Sequence, residues 1–366
     1  MLTSKLAGLT AIFRLISAYA IPSDDGFPNP NSQQLLDIEK HADGLLSNLP
    51  PPPRLSQAGI QNFQLIAFNE NFEVGYFSSL VDNITNHVDG FTDADHANLE
   101  EILEILKTVK AQEELHALTA ISTLKQFNAS LVPEPCTYKF PTTSLKDAIN
   151  LAETFTSLVL GTLQDAEQSF AQNGDDGPVR AISSVIGQEG EQNGFYRIFL
   201  GRKPSQKPFL TTSTAAFAFS ALQQFIESCP FEITDIDIPI FPPLNVLTTA
   251  EAKDMTLAFS ADLSSTTLVN KTSNLFITYI VGQQLPISEP ISNAKWDGSV
   301  LKFNAEFPFT ENIMQGFSIA ALTNSSNFTD ADAVVANTIA APGLIQVNDV
   351  LHTNGSRNGH RNATAL

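Results

Sequence analysis

Basic residues are scarce in this chain: 20 lysines and arginines stand against 39 aspartates and glutamates, a formal net charge of -19. A surface of that sign repels phosphate backbones and anionic lipid headgroups, so nucleic acid and acidic membrane surfaces are not expected partners. Long apolar runs are also missing. Past the N-terminus no stretch reaches the roughly 18 apolar residues that span a bilayer, and no membrane span is expected. The polar C-terminus lacks the apolar tail of a lipid-anchor signal. There is no glycine-rich phosphate loop, no G-x-S-x-G elbow and no zinc-ligand spacing. Only two cysteines occur, Cys136 and Cys229.

The N-terminus has the form of a secretion signal. Lys5 supplies a positive start and Leu6 to Ile16 an apolar stretch, interrupted by Arg14. Ala18-Tyr19-Ala20 is an A-x-A cleavage pattern, which starts the mature chain near Ile21. Seven N-x-S/T sequons, at Asn83, Asn128, Asn270, Asn324, Asn327, Asn354 and Asn362, agree with a secreted glycoprotein. In an oxidising compartment the Cys136 and Cys229 pair reads as one disulfide, the alternative being two buried thiols.

The chain of 366 residues divides by pattern. Residues 1–20 are the signal. Residues 21–54 are irregular, with a short helix near Gln33 to Leu46 and a stiff proline run at Pro50 to Pro53. Residues 55–230 are helical, with helices expected near 55–83, 93–127, 144–172, 177–200 and 212–228. Ser144 to Asp147 resembles a capping box. Residues 231–350 turn β-rich: Ile233 to Phe241, Met255 to Leu263, Leu275 to Val281, Leu301 to Phe307 and Phe317 to Leu322 are strand-like runs. That spacing suggests a β-sandwich-like domain with Trp296 in its core. Residues 351–366 form a polar tail expected to be disordered. The fold class is therefore a helical bundle followed by a β domain.

Glutamates inside the apolar stripes of the long helices carry the chemistry. One helical face reads Phe63, Ile66, Glu70, Val74, Phe77 and Val81. The next three read Ile102, Leu106, Val109, Glu113, His116 and Ala120; Leu145, Ile149, Glu153, Thr156, Leu160 and Leu163; and Ile182, Val185, Glu189, Gln192, Tyr196 and Phe199. Burying an unpaired carboxylate costs several kcal/mol, and four facing one interior repel one another. A dinuclear metal site is one way to resolve the conflict, and a hydrogen-bonded polar core is another. A single Glu followed by a Glu-x-x-His or Glu-x-x-Gln pair, twice over, is the ligand pattern of carboxylate-bridged di-iron or di-manganese bundles.

Residues 55–228 resemble the ferritin-like superfamily. They are most similar to fungal secreted stress-response or late sexual development proteins and to plant desiccation-related proteins. The residues that carry this are Asn69 to Glu73 with Tyr76-Phe77, Gln112 to His116, Ala152-Glu153 with Gly161, and Gln188 to Gln192. The resemblance implies a four-helix bundle and a part in stress or development. The expected ligands for two iron or manganese ions are Glu70, Glu113, His116, Glu153, Glu189 and Gln192, with Glu73 as alternate to Glu70. Gln192 stands where a histidine would complete the pattern, which weakens that half of the site.

Other residues read as bland. Glu114 and Glu191 lie off the stripes and read as solvated. Asp165 and Glu167 are alternatives to Glu153, but they lie in the polar Gln164 to Gln168 stretch and read as surface. Tyr196 reads equally as a ligand's hydrogen-bond partner or as core. His41, His87 and His96 read as surface, and His352 and His360 as tail. Asp93, Asp95 and Glu104 match part of a calcium loop but lack its glycine, and read as the acidic start of a helix. Three functions follow: a protective or structural secreted bundle with residual metal binding, a di-metal oxidase or peroxide scavenger, or a cell-wall or glycan adhesion protein acting through its β domain. A hollow storage cage is not expected, because the β domain would obstruct its packing.

Overall fold

The computed structural model describes residues 18–49, 52–92, 99–266 and 273–348. Residues 1–17 of the expected signal, Pro50 and Pro51 of the proline run, Asp93, Asp95 and His96, the sequons at Asn270, Asn354 and Asn362, and the expected tail with His352 and His360 lie outside the described residues.

Helix α1 (Ser32–His41) opens with a capping box, Asn31 to the Gln34 amide and Gln34 back to the Asn31 amide, and ends well before Leu46. Four long helices follow: α2 (Gln57–Thr85), α3 (Leu99–Gln126), α4 (Leu145–Asn173) and α5 (Val179–Phe199). Ser56 caps α2 and Ser144 caps α4, each accepting from an amide three residues on. The box at Ser144 is half made, because Asp147 accepts instead from the Thr143 hydroxyl. Gly174 ends α4 at φ 70, a left-handed cap that suits glycine.

Helix α2 is buried almost all round from Asn62 to Ser78, because it packs against α3, α4 and α6 (Ala215–Leu222). The last expected helix is shorter than its pattern. It stops at Leu222, passes through a 3-10 turn, and becomes strand β2 (Ile226–Ser228), which pairs antiparallel with β1 (Thr137–Tyr138). The disulfide joins Cys136 to Cys229 at the end of this pair. Cross-strand pairing beside the covalent link holds residues 226–228 extended, against their apolar helical spacing.

The C-terminal part forms two four-stranded antiparallel sheets. The strands are β3 (Asn245–Val246), β4 (Met255–Asp262), β5 (Phe276–Val281), β6 (Ile287–Pro290), β7 (Ser292–Asp297), β8 (Val300–Phe307), β9 (Gly316–Thr323) and β10 (Thr338–Val347). One sheet runs β3-β4-β8-β7 and the other β10-β9-β5-β6. Their facing sides share one core, in which Phe259 stacks on Phe303 at 5.5 Å and Tyr279 meets Phe307 edge-on at 5.5 Å. Each such ring contributes about 1.5–3 kcal/mol by burial. The Ile233 to Phe241 run makes no strand: Ile233–Asp235 is a 3-10 turn, and Pro239, Pro242 and Pro243 remove the amides a ladder needs. Trp296 is half-buried at the margin of the core rather than inside it.

The second sheet is covered on its other face too. Ile280, Phe317, Ile319 and Ala321 pack on Phe217 and Ala218 of α6 and on Leu158 of α4. This double cover explains why every residue of β9 is buried, and it seats the β-rich part firmly on the helices. No helix among the described residues is long and apolar enough to cross a membrane.

Candidate metal centre

Three helices bring four of the six expected ligands together. Glu70 of α2, Glu113 and His116 of α3, and Glu189 of α5 each offer a ligand atom, all within 4.8 Å of one another. The i, i+3 spacing of Glu113 and His116 puts both on one face of α3, with His116 Nδ1 2.9 Å from Glu113 Oε2. The same nitrogen lies 3.6 Å from Glu70 Oε2 and 3.9 Å from Glu189 Oε1. The glutamates are at most 1 % exposed, and the His116 side chain at 15 % is the outermost member.

Electrostatics at this point are unbalanced. Burial pushes the Glu70 carboxyl up to about 7, with His116 opposing the rise. Glu189 is raised well above the carboxylate range by burial and then by the charges of Glu70 and Glu113. Burial lowers His116, but the adjoining Glu113 and Glu70 outweigh that and leave its pKa well raised. Glu73, one turn along α2, is also fully buried and raised well above its ordinary value, by burial and by Glu113, Glu189 and Glu70. Asn69 donates to its Oε1 at 2.8 Å.

Several buried acceptors here have no donor among the described residues: Glu70 Oε2, Glu73 Oε2 and both oxygens of Glu189. Buried acceptors in folded proteins are almost always paired. Hard oxygen donors joined by one imidazole form a donor set for a first-row transition ion, and a cation at their centre would satisfy these oxygens together. The residues present therefore fit a metal ion.

Gln192 borders the cluster through its amide nitrogen. Its Nε2 donates to Glu113 Oε1 at 2.7 Å and to Gln112 Oε1 at 3.1 Å, and Gln188 Nε2 donates to the same Gln112 oxygen at 2.9 Å. This chain of amides fixes the Glu113 carboxylate from the α5 side. Tyr196 is fully buried, its pKa well raised by burial and then by Glu113, Glu73 and Glu189, and its hydroxyl makes no hydrogen bond among the described residues.

Glu153 goes elsewhere. Arg197 Nη1 donates to its Oε1 at 2.5 Å and Arg202 Nη1 to its Oε2 at 3.0 Å. Gln346 of β10 donates to both oxygens, at 3.0 and 2.9 Å. Arg197 is only 1 % exposed and also donates to Asn348 Oδ1. Glu153 thus anchors the helices to the second sheet. Arg197 is legible in the sequence as a cation one turn after Asn193 on the inner side of α5. Gln346 is not, since nothing local links it to Glu153.

Two further readings need correction. Glu114 is buried, not solvated: Lys110 Nζ sits 2.6 Å from its Oε1 and 2.6 Å from Asp25 Oδ2, and the segment before α1 covers it. Asp165 is half-buried and accepts from the Ala215 amide at 2.8 Å, so it caps the start of α6. Glu167 is half-buried beside Ser183, while Glu191, Glu104, His41 and His87 are exposed. Of the described sequons, Asn128, Asn324 and Asn327 are exposed and Asn83 is half-buried.

Compared with protein-family models and with curated proteins, the chain matches none.

Proposed function

We propose that this chain is a secreted, protective metal-binding protein built on a ferritin-like bundle, with one iron or manganese ion held by Glu70, Glu113, His116 and Glu189. The observation that carries the reading is the convergence of these four groups with acceptor oxygens that no donor satisfies. One ion is favoured over two because Glu153, the ligand a second ion would take from α4, is held by two arginines and Gln346. Glu73 is the remaining carboxylate within reach of the cluster's field.

A bound ion of this kind supplies Lewis acidity and one-electron chemistry toward oxygen species. The chain's own residues set its surroundings. The Gln112, Gln188 and Gln192 amides orient Glu113, and such outer contacts tune both affinity and ligand basicity. The buried walls keep bulk water from Glu70 and Glu189. The signal-like N-terminus, the sequons and the Cys136–Cys229 disulfide support secretion.

Metal content after equilibrium dialysis against iron(II) or manganese(II) tests the proposal, with Glu113→Ala as control. One ion per chain in the wild type and none in the control is expected. Equal metal in both proteins, or none in either, would reject it.

A further inference from the structure

On the flank of α5 facing the 203–210 segment lies a cleft of about 380 Å3. Its walls include Gly190 and Gly194 of α5, Leu160 of α4, and Pro204, Lys207 and Leu210. A Cβ at Gly190 would meet nothing within 4 Å, and one at Gly194 would first meet Pro204 at 3.8 Å. The glycines therefore leave open space that larger helix formers would fill.

Lys207 is the lysine on this wall. Its Nζ donates to the Phe317 carbonyl at 2.6 Å and to Thr211 Oγ1 at 3.0 Å. An uncharged amine has two hydrogens and one lone pair, so these two acceptors hold both hydrogens and leave the lone pair free. Burial, reinforced by the Arg197 charge, pushes the amine down to about 8. Asn193, also on the cleft wall, is 3 % exposed, and its Oδ1 has no donor among the described residues.

We propose that Lys207 is a nucleophilic amine that captures a small aliphatic aldehyde or ketone in this cleft as an imine. The amine lone pair forms a bond to the carbonyl carbon, and the C=O π pair moves to oxygen, which takes the proton lost from nitrogen. The resulting hydroxyl sits on the former carbonyl carbon. It then leaves as water, with a second nitrogen proton, and the C=N bond forms. One carbonyl compound and one amine give one imine and one water, with no oxidant or reductant. Leu160, Pro204 and Leu210 offer apolar surface to the alkyl group. The proposal uses none of the metal ligands and stands or falls apart from them.

The test is reductive alkylation of the full chain with propanal and cyanoborohydride at pH 7, read by intact mass and peptide mapping. With its pKa near 8, about one Lys207 in ten is uncharged at pH 7, against about one in 2,500 for an ordinary lysine near 10.4. Lys207 should be modified at least about 20-fold faster than exposed Lys40 and Lys253, after allowance for its partial burial and lower intrinsic nucleophilicity. Gly190→Leu should fill the cleft and cut Lys207 labelling about tenfold or more, with Lys40 and Lys253 unchanged. Lys207 reacting no faster than Lys40 and Lys253 in the wild type overturns the proposal without recourse to any variant. Unchanged labelling in folded Gly190→Leu overturns the role of the cleft.

Discussion

Replacing Glu70 by glutamine should make the metal-free protein more stable and the metal-loaded protein less so. The folded-state pKa of Glu70 is raised from 4.5 to about 7, mainly by burial. A raised carboxyl costs stability only above its unfolded pKa, where folding must draw a proton from solvent. The cost is absent below about 4.5, grows by about 1.4 kcal/mol per pH unit, and levels off above about 7. At pH 7 it reaches about 3 kcal/mol, which a neutral glutamine of the same shape avoids. With an unfolding entropy of about 2.1 cal/mol/K per residue, that is a rise of about 4 °C in Tm for a chain of 366 residues. Near pH 4.5 the gain should vanish. Manganese at 100 times its Kd should stabilise the wild type by about 2.7 kcal/mol and Glu70→Gln by much less, because one ligand has lost its charge. Thermal melts at pH 4.5 and 7, in EDTA and in manganese, give all four values. A lower Tm for Glu70→Gln in EDTA at pH 7, or an equal gain from metal in both proteins, would rule out Glu70 as a destabilising buried carboxylate that ligates the ion.

Other substitutions test the frame around the site. Arg197→Leu leaves Glu153 buried without its closest cation and should cost about 3–5 kcal/mol, measured by urea unfolding. Gly161→Ala places a Cβ 2.4 Å from the Thr211 carbonyl and 2.8 Å from the Ser213 amide, and should cost about 1–3 kcal/mol by forcing the 211–213 segment off α4. Cys136→Ser opens a loop with a sequence separation of 93 and should lower stability by about 3–4 kcal/mol in denaturant melts. Lys110→Met removes the cation between Asp25 and Glu114 and should loosen the segment before α1, seen as faster amide exchange there.

Helical spacing made most of the centre legible. Glu70, Glu113, His116 and Glu189 were each the charged or basic interruption of an apolar stripe, and the structure brings those four together. Glu153 satisfies the same pattern, but Arg197, Arg202 and Gln346 take its oxygens, and Gln346 lies 193 residues away in sequence, which no local period encodes. Glu114 lay off the stripe and still became buried, because the chain before α1 folds over that face of α3 and meets it through Lys110. Strand β10 was invisible because Pro342-Gly343 interrupts it, and the ladder accommodates them through register shifts between Ala340 and Gly343. The short pair β1 and β2 likewise depends on a long-range contact, with Cys136 bonded to Cys229.

The most direct test is anomalous X-ray scattering from crystals of the full chain grown or soaked with manganese(II). The proposed metal centre predicts one strong anomalous peak enclosed by Glu70, Glu113, His116 and Glu189, absent from Glu113→Ala crystals. No peak there at saturating manganese, or a peak at Glu153 with Arg197 and Arg202 displaced, would contradict it.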